Sequence, residues 1–350
     1  MKSALASLHP AYFAFVMATG IVSIAAKLLA IDAVAVALLW ANGAFFLTLC
    51  ALTILRIAWF PDRVRADVLH HGRAVGFFTT PAAICVMGSQ ALVVAGAWGL
   101  ARMLWILGGA AWAVITYGIL TVLTVKSEKP SLAEGINGGW LVAVVSAQSV
   151  SVLGTQLAPG FGDSAPHVLF LSLVLWLGAG MLYIWIISLI FYRYTFFTLQ
   201  PSDLAPPYWI NMGAVAISTL AGALLVLAAP SWSVMQELMP FVKGLTLMFW
   251  ATATWWIPML VILGIWRHGY RKFPLRYDPL YWGAVFPLGM YTVCTVRLSQ
   301  ALDIPELMTI PHVFVYAALG AWALTFAGLV GEIAGMWRSD LRGRRQPARS

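Results

Sequence analysis

Charged residues are scarce in this chain of 350 residues: Asp, Glu, Lys and Arg make up 10% of it, against roughly 25% in an ordinary soluble domain. Hydrophobic residues make up 61%. This composition excludes a soluble globular protein. Membrane-spanning segments and short loops use up the whole length, which leaves no room for a soluble catalytic domain. The sequence therefore predicts one transmembrane domain over residues 1–350.

Reactive and metal-ligating side chains are also scarce inside the apolar segments. The three cysteines lie in such segments without C-x-x-C spacing, and the six histidines lie in loops or at segment ends. Glu332 is the only carboxylate within a segment. The chain has no H-E-x-x-H motif and no paired intramembrane aspartates. We expect no enzyme activity, no cofactor and no metal, and the missing deep carboxylate argues against strong coupling to protons or sodium.

The chain does contain ten apolar segments of membrane-spanning length. They are residues 12–30, 33–57, 76–97, 100–125, 139–157, 168–192, 209–229, 241–266, 280–298 and 312–337. Of the 21 basic residues, 17 lie on one side of the segments: 16 at the termini or in the loops after segments 2, 4, 6 and 8, and Arg56 at the end of segment 2. Because basic residues collect in cytoplasmic loops, we predict a multi-pass inner (plasma) membrane protein with both termini cytoplasmic.

The net charge of +8 is then loop charge that faces anionic lipid headgroups, and no nucleic-acid partner is expected. The basic tail, residues 338–350, is interpreted in the same way, as a topology anchor.

The links between segments group them into five helical hairpins. The hairpins begin near Tyr12, Gly76, Gly139, Trp209 and Leu280, at intervals of 63 to 71 residues. Hairpins inserted in the same orientation indicate parallel repeats. Odd segments carry most of the helix breakers and polar residues, whereas even segments are more uniformly apolar. Since freed polar groups in a bilayer must face protein or water, we predict an all-α fold with an inner pore ring of odd helices inside an outer ring of even helices.

Helical spacing and helix breaks select the candidate site residues. Thr19, Ser23 and Lys27 share one face of segment 1, and Phe286, Met290 and Arg297 share one face of segment 9. The predicted pore lining is Thr19, Ser23, Thr79, Thr80, Ser149, Asn211, Ser218 and Met290; the predicted kinks are Gly20, Pro81 and Pro287; and the predicted vestibule charges are Lys27 and Arg297.

Each of these features has a structural alternative. A hydroxyl can bond its own helix or a neighbouring one, and Lys27 and Arg297 can extend to the membrane surface. Segment 5 has two polar faces, of which only one can line a pore. Ser146, Ser149 and Gln156 form one face, and Gln148, Ser151 and Thr155 form the other.

Four stretches resemble a known family. HPAYFAFVMATGI (residues 9–21), RAVGFFTTP (73–81), PYWINMGA (207–214) and YWGAVFPLGM (281–290) resemble helices one, three, seven and nine of the tellurite-resistance/dicarboxylate transporter family. That family includes the slow-type plant guard-cell anion channels and the fungal malate permeases. The resemblance implies a homotrimer in which each ten-helix protomer has its own pore. It also implies that a phenylalanine of the ninth helix, here Phe286, closes that pore.

The predicted function is a passive or weakly coupled channel or permease for small inorganic or organic anions. A weakly bound anion suits a nearly uncharged, hydroxyl-bearing pore with cations at its mouths. The alternative is a proton-coupled dicarboxylate carrier or a sulfite exporter. The sequence does not distinguish chloride, nitrate, sulfite, malate and tellurite as the transported anion.

Overall fold

The computed structural model describes residues 2–345, and for Ser3, Ser231 and residues 336–345 it describes the backbone alone. These residues form helices and no β-strand. Ten helices have at least 15 residues and are numbered in chain order. They are α1 (Ala14–Leu28), α2 (Asp32–Trp59), α3 (Thr79–Ala95), α4 (Trp98–Val125), α5 (Val142–Leu157), α6 (Ala165–Phe196), α7 (Ile210–Ala228), α8 (Ser233–Ile265), α9 (Trp282–Leu302) and α10 (Thr309–Arg345).

Short elements connect these helices. The short α-helices are Lys2–Ala6, Pro61–Leu69, His71–Ala74 and Leu132–Gly135, and a π-helical turn, Trp266–Tyr270, extends α8. Of the predicted basic tail, the backbone is helical as far as Arg345, while its side chains and residues 346–350 lie outside the described residues.

Eight helical stretches of the described chain are long and apolar enough to cross a membrane, where the sequence predicts ten. One of them, Gly138–Phe196, has 59 residues, although a crossing needs only about 20. It contains both α5 and α6, which non-helical backbone at Gly162 (φ 52°, ψ −127°) separates. Helix α9, with 21 residues, is not among the eight. The chain is an all-helical membrane protein.

The helices differ sharply in burial. In an 18-residue apolar window of the stretches that contain α1 and α7, 78% and 94% of the residues are buried, whereas the share is 22% and 11% for those that contain α2 and α10. Helices α3, α5 and α9 are also largely buried, while α4, α6 and α8 expose large apolar side chains such as Ile106, Trp185 and Trp255. Because lipid replaces water around such surfaces, exposed apolar side chains here indicate a lipid-facing layer.

The five buried helices contact one another in a closed cycle: α1 contacts α3, α3 contacts α5, α5 contacts α7, α7 contacts α9, and α9 contacts α1. Each exposed helix packs against the outside of this cycle. Small residues permit the close approach of the buried helices. At Gly213 of α7, a Cβ atom would lie only 2.7 Å from Cγ of Pro287 in α9.

Candidate functional site

All five buried helices begin in the same way. A 3-10 turn runs directly into each one, and these turns are Pro10–Phe13, Val75–Phe78, Gly138–Leu141, Pro206–Trp209 and Pro279–Tyr281. Three of the turns are capped by side chains that accept a backbone hydrogen bond two residues on. The caps are His9 Nδ1 at 3.1 Å, Asn137 Oδ1 at 2.8 Å and Asp278 Oδ1 at 2.8 Å.

A cavity of about 240 Å³ lies where these five helix starts converge. We call it the large cavity. Every one of the five buried helices contributes a side chain deep in its lining, and these are Met17, Thr79, Val145, Ile210 and Phe286. Because the first turns of all five helices line one cavity, the five helices run in the same direction. Their partial positive N-terminal charges therefore surround this space.

A second cavity of about 20 Å³ lies further along the same helices. This small cavity is lined by Ile21, Val86, Ser149, Ile217 and Met290, again one from each buried helix, together with further residues that include Ser89 and Gln156. Its volume is close to the minimum that holds one water molecule. Its lining is uncharged, and its polar groups are two hydroxyls and one amide.

The two cavities are separated by about one helical turn. Met17 and Ile21, Val145 and Ser149, and Phe286 and Met290 are each four residues apart, which corresponds to ~6 Å along a helix. The first member of each pair lines the large cavity and the second lines the small one. The Phe286 ring, 2% exposed, is the largest side chain among these deep residues. On these three helices the residues of the large cavity that lie nearest to the small cavity are apolar: Met17, Val145 and Phe286.

The structure brings four predicted site residues to these cavities: Thr79 and Phe286 at the large one, and Ser149 and Met290 at the small one. The position of Ser149 also indicates which of the two polar faces of α5 lines the cavities. Its face lines the cavities, while Gln148 donates to the Trp176 carbonyl and Ser151 donates to the Ser172 carbonyl, both in α6.

Four other predicted residues face the surrounding helices. Thr19 Oγ1 accepts a hydrogen bond from Trp322 Nε1 of α10 at 2.9 Å, and Ser23 Oγ donates to the Ala35 carbonyl of α2 at 2.7 Å. Asn211 Nδ2 donates to the Tyr194 hydroxyl of α6 at 3.2 Å. Ser218 accepts from Gln148 at 3.0 Å. These groups hold the buried helices to one another and to the exposed helices, as polar side chains commonly do in membranes.

The three residues predicted to kink the pore helices occupy different positions in those helices. Helix α1 passes through Gly20 without a break, and a Cβ there would lie 2.7 Å from Val86 Cγ1, so this glycine permits close packing of α1 on α3. Pro81 lies in the first turn of α3, where its missing N–H costs nothing. Pro287 lies inside α9. Thr80 lines a small side cavity next to Arg56 and His9.

The two predicted vestibule charges lie near the C-terminal ends of their helices. Lys27 forms an ion pair with Asp32 at 2.7 Å, and Arg297 donates to Gln300 at 2.8 Å. Neither residue is in the lining of the two cavities.

The wall of the large cavity contains charged groups that the sequence analysis did not predict there. Arg193 of α6 lines the large cavity together with Asp203, Tyr208 and Glu134. In the sequence, Arg193 directly follows the segment 168–192 and indicates only membrane topology; its burial depends on tertiary packing that no local pattern reveals. Ser89 and Gln156 at the small cavity were not among the predicted pore residues either. For Gln156 the available signal was the face of α5 that it shares with Ser149.

Buried helices around stacked cavities, inside a layer of lipid-facing helices, define a membrane transport protein. Residues 7–330 match the model of the SLAC1 family, described as voltage-dependent anion channel. The chain belongs to this family, which confirms the resemblance found in the sequence.

The relatives are membrane and transport proteins. An uncharacterized membrane protein of Mycobacterium tuberculosis is 41% identical over 155 residues, or 44% of this chain and 77% of the relative. An uncharacterized transporter of Methanocaldococcus jannaschii is 27% identical over 337 residues, or 93% of each chain. A sulfite efflux pump of Trichophyton rubrum is 23% identical over 351 residues, or 93% of this chain and 90% of the relative.

Proposed function

We propose that this protein is an anion channel or permease in which small anions move along the axis of the five-helix cycle, through the large cavity, past Phe286 and through the small cavity. The observation that carries the proposal is the pair of cavities, each lined by the same five helices at positions about one helical turn apart. A path that is lined by one helix set at two depths is the geometry of a closed pore.

Electrostatics supports an anion as the permeating species. Five helix starts direct partial positive charge at the large cavity, and the guanidinium of Arg193 lies in its wall. Of the two carboxylates in that wall, Glu134 is held by Ser131 in a capping box and Asp203 forms an ion pair with Arg193. The small cavity contains no charged side chain, so it offers an anion only weak binding, as rapid release requires.

Phe286 is the proposed gate. Its ring lines the large cavity one helical turn before Met290 of the small cavity, and a bulky apolar side chain at such a position can oppose hydration and ion passage. The substitution Phe286→Ala should raise anion flux into proteoliposomes about tenfold or more, which corresponds to a barrier lower by ~1.4 kcal/mol. Flux is measured with an anion-sensitive dye at a fixed membrane potential.

Two variants control this experiment. Phe46→Ala removes the same ring from α2, away from both cavities, and should leave flux unchanged. Phe286→Trp keeps a bulky ring at this position and should stay closed. Equal anion flux through the Phe286→Ala and wild-type proteins would contradict the proposal that Phe286 is the gate.

The finer architecture is part of the same proposal. We propose ten membrane crossings arranged as five parallel hairpins, with the five buried helices around the pore and both termini in the cytoplasm. The common 3-10 starts of the buried helices support the repeat. Three copies per assembly, suggested by the resemblance, are tested by native mass spectrometry of the protein in detergent.

Sulfite export is the second candidate function, favoured by the similarity to a sulfite efflux pump. Reversal potentials of the reconstituted protein, recorded in chloride, nitrate, sulfite and malate, distinguish the substrates. A proton-coupled carrier would lose transport when a protonophore is added at fixed membrane potential, whereas a channel would not.

A further inference from the structure

Arg193 is held in the wall of the large cavity by contacts of two kinds. Its Nε donates to the Ala133 carbonyl at 2.7 Å, and its Nη1 donates to the Tyr208 hydroxyl. Both acceptors are neutral and fix the plane of the guanidinium. The third contact is with a charge: Nη2 lies 3.5 Å from Oδ2 of Asp203, at the edge of hydrogen-bond length.

The burial of the two charges differs. The side chain of Arg193 is 10% exposed and that of Asp203 is 30% exposed. Asp203 lies in the loop between α6 and the 3-10 turn Pro206–Trp209, where its carboxylate also accepts a hydrogen bond from the Gln200 backbone. Arg193 is therefore positioned without Asp203, while Asp203 is a loosely held partner on a loop.

Both residues face the space that the proposed anion enters. Arg193, Asp203 and Tyr208 line the same large cavity as Phe286. A guanidinium that is fixed by two neutral acceptors keeps further N–H groups for another acceptor, and its planar arrangement matches two oxygens of one oxyanion. A halide ion has no second atom to use this match.

We propose that Arg193 is the docking residue for a small oxyanion in the large cavity, and that Asp203 is a built-in counter-ion which the oxyanion displaces. This inference rests on the proposed anion transport and names the substrate class at its first contact. Asp203 keeps the buried cation paired when the cavity is empty. It also lowers the affinity for the anion, which promotes release towards Phe286.

The test measures binding separately from transport. The thermal stability of the detergent-purified protein is titrated with nitrate and with chloride, because a ligand that binds only the folded state raises Tm. The substitution Asp203→Asn keeps the shape and removes the charge. It should lower the half-saturation concentration for nitrate about tenfold, the order expected for removing a competing charge-assisted contact.

The control is Asp62→Asn, which makes the same charge change at an exposed position of the helix Pro61–Leu69 and should leave the titration as in wild type. Arg193→Lys keeps the charge and removes the planar fork, so it should weaken nitrate binding about tenfold and chloride binding less. Equal titrations for Asp203→Asn and Asp62→Asn would overturn the counter-ion role. Equal losses for nitrate and chloride in Arg193→Lys would overturn the oxyanion preference.

The proposed transport can be wrong while this inference about the docking site is right. If nitrate binds as described but no flux is seen even with Phe286→Ala, the docking site stands and the channel does not.

Discussion

His9 connects the start of the first buried helix to pH. Its Nδ1 accepts the Ala11 N–H, and this requires the neutral ring. Burial, assisted by the nearby positive charge of Arg73, lowers the pKa of His9 to about 4, against opposing effects of Asp67 and Asp278. Between pH 4 and 6.5 the unfolded chain therefore binds more protons at this residue than the folded protein does.

The free energy of unfolding should consequently fall as the pH drops through this window, by up to ~1.4 kcal/mol per pH unit. The substitution His9→Asn keeps a capping acceptor that does not titrate, so it should flatten the dependence of Tm on pH between 4 and 6.5. His312→Asn changes an exposed histidine and should retain the wild-type slope. Parallel curves for His9→Asn and wild type would contradict this assignment.

Hydroxyls on the buried helices can serve packing or permeation, and two substitutions separate these roles. Thr19→Val leaves the Trp322 indole N–H without its acceptor and should lower the stability by ~1 kcal/mol, with anion flux unchanged. Ser149→Ala removes a hydroxyl from the small cavity and should change flux with little loss of stability. Tm and proteoliposome flux, measured on both variants, test the assignment. A flux change in Thr19→Val would place Thr19 on the permeation path.

The sequence predicted which helices are buried more reliably than which faces line the cavities. Length and hydropathy predicted an all-helical membrane protein, although eight helical stretches of the described chain, and not the predicted ten, are long and apolar enough to span a membrane. The buried helices α1, α3, α5, α7 and α9 correspond to the odd segments, which are richer in polar residues. The stripe of Thr19 and Ser23 nevertheless faces α10 and α2, whereas Met17 and Ile21 line the cavities. In a bilayer, polar groups are needed for contacts between helices as much as for a water-filled path. Spacing alone cannot separate the two uses.

The common direction of the five buried helices makes the whole molecule electrically asymmetric. All their starts surround the large cavity at one end, and most basic residues of the sequence belong to loops on that same side. We expect this end to face the cytoplasm. In a variant without Cys50, Cys85 and Cys294, a cysteine at Asp62 should react with a membrane-impermeant maleimide only from the cytoplasmic face, and one at Asp163 only from the outer face. The reverse pattern would invert the proposed topology.

In a passive pore the electrochemical gradient, and not the orientation of the protein, sets the direction of net anion flow. An inside-negative membrane potential drives each monovalent anion outward by ~2.3 kcal/mol per 100 mV. With the large cavity on the cytoplasmic side, its helix starts and Arg193 gather anions where this force expels them. If the proposed pore is passive, an inside-negative potential alone drives net anion efflux through it, and no coupling ion is needed. In vesicles that all have the cytoplasmic side inside, anion efflux through Phe286→Ala should follow the imposed potential and remain when the proton gradient is collapsed. Efflux that stops with the proton gradient would instead establish a coupled carrier.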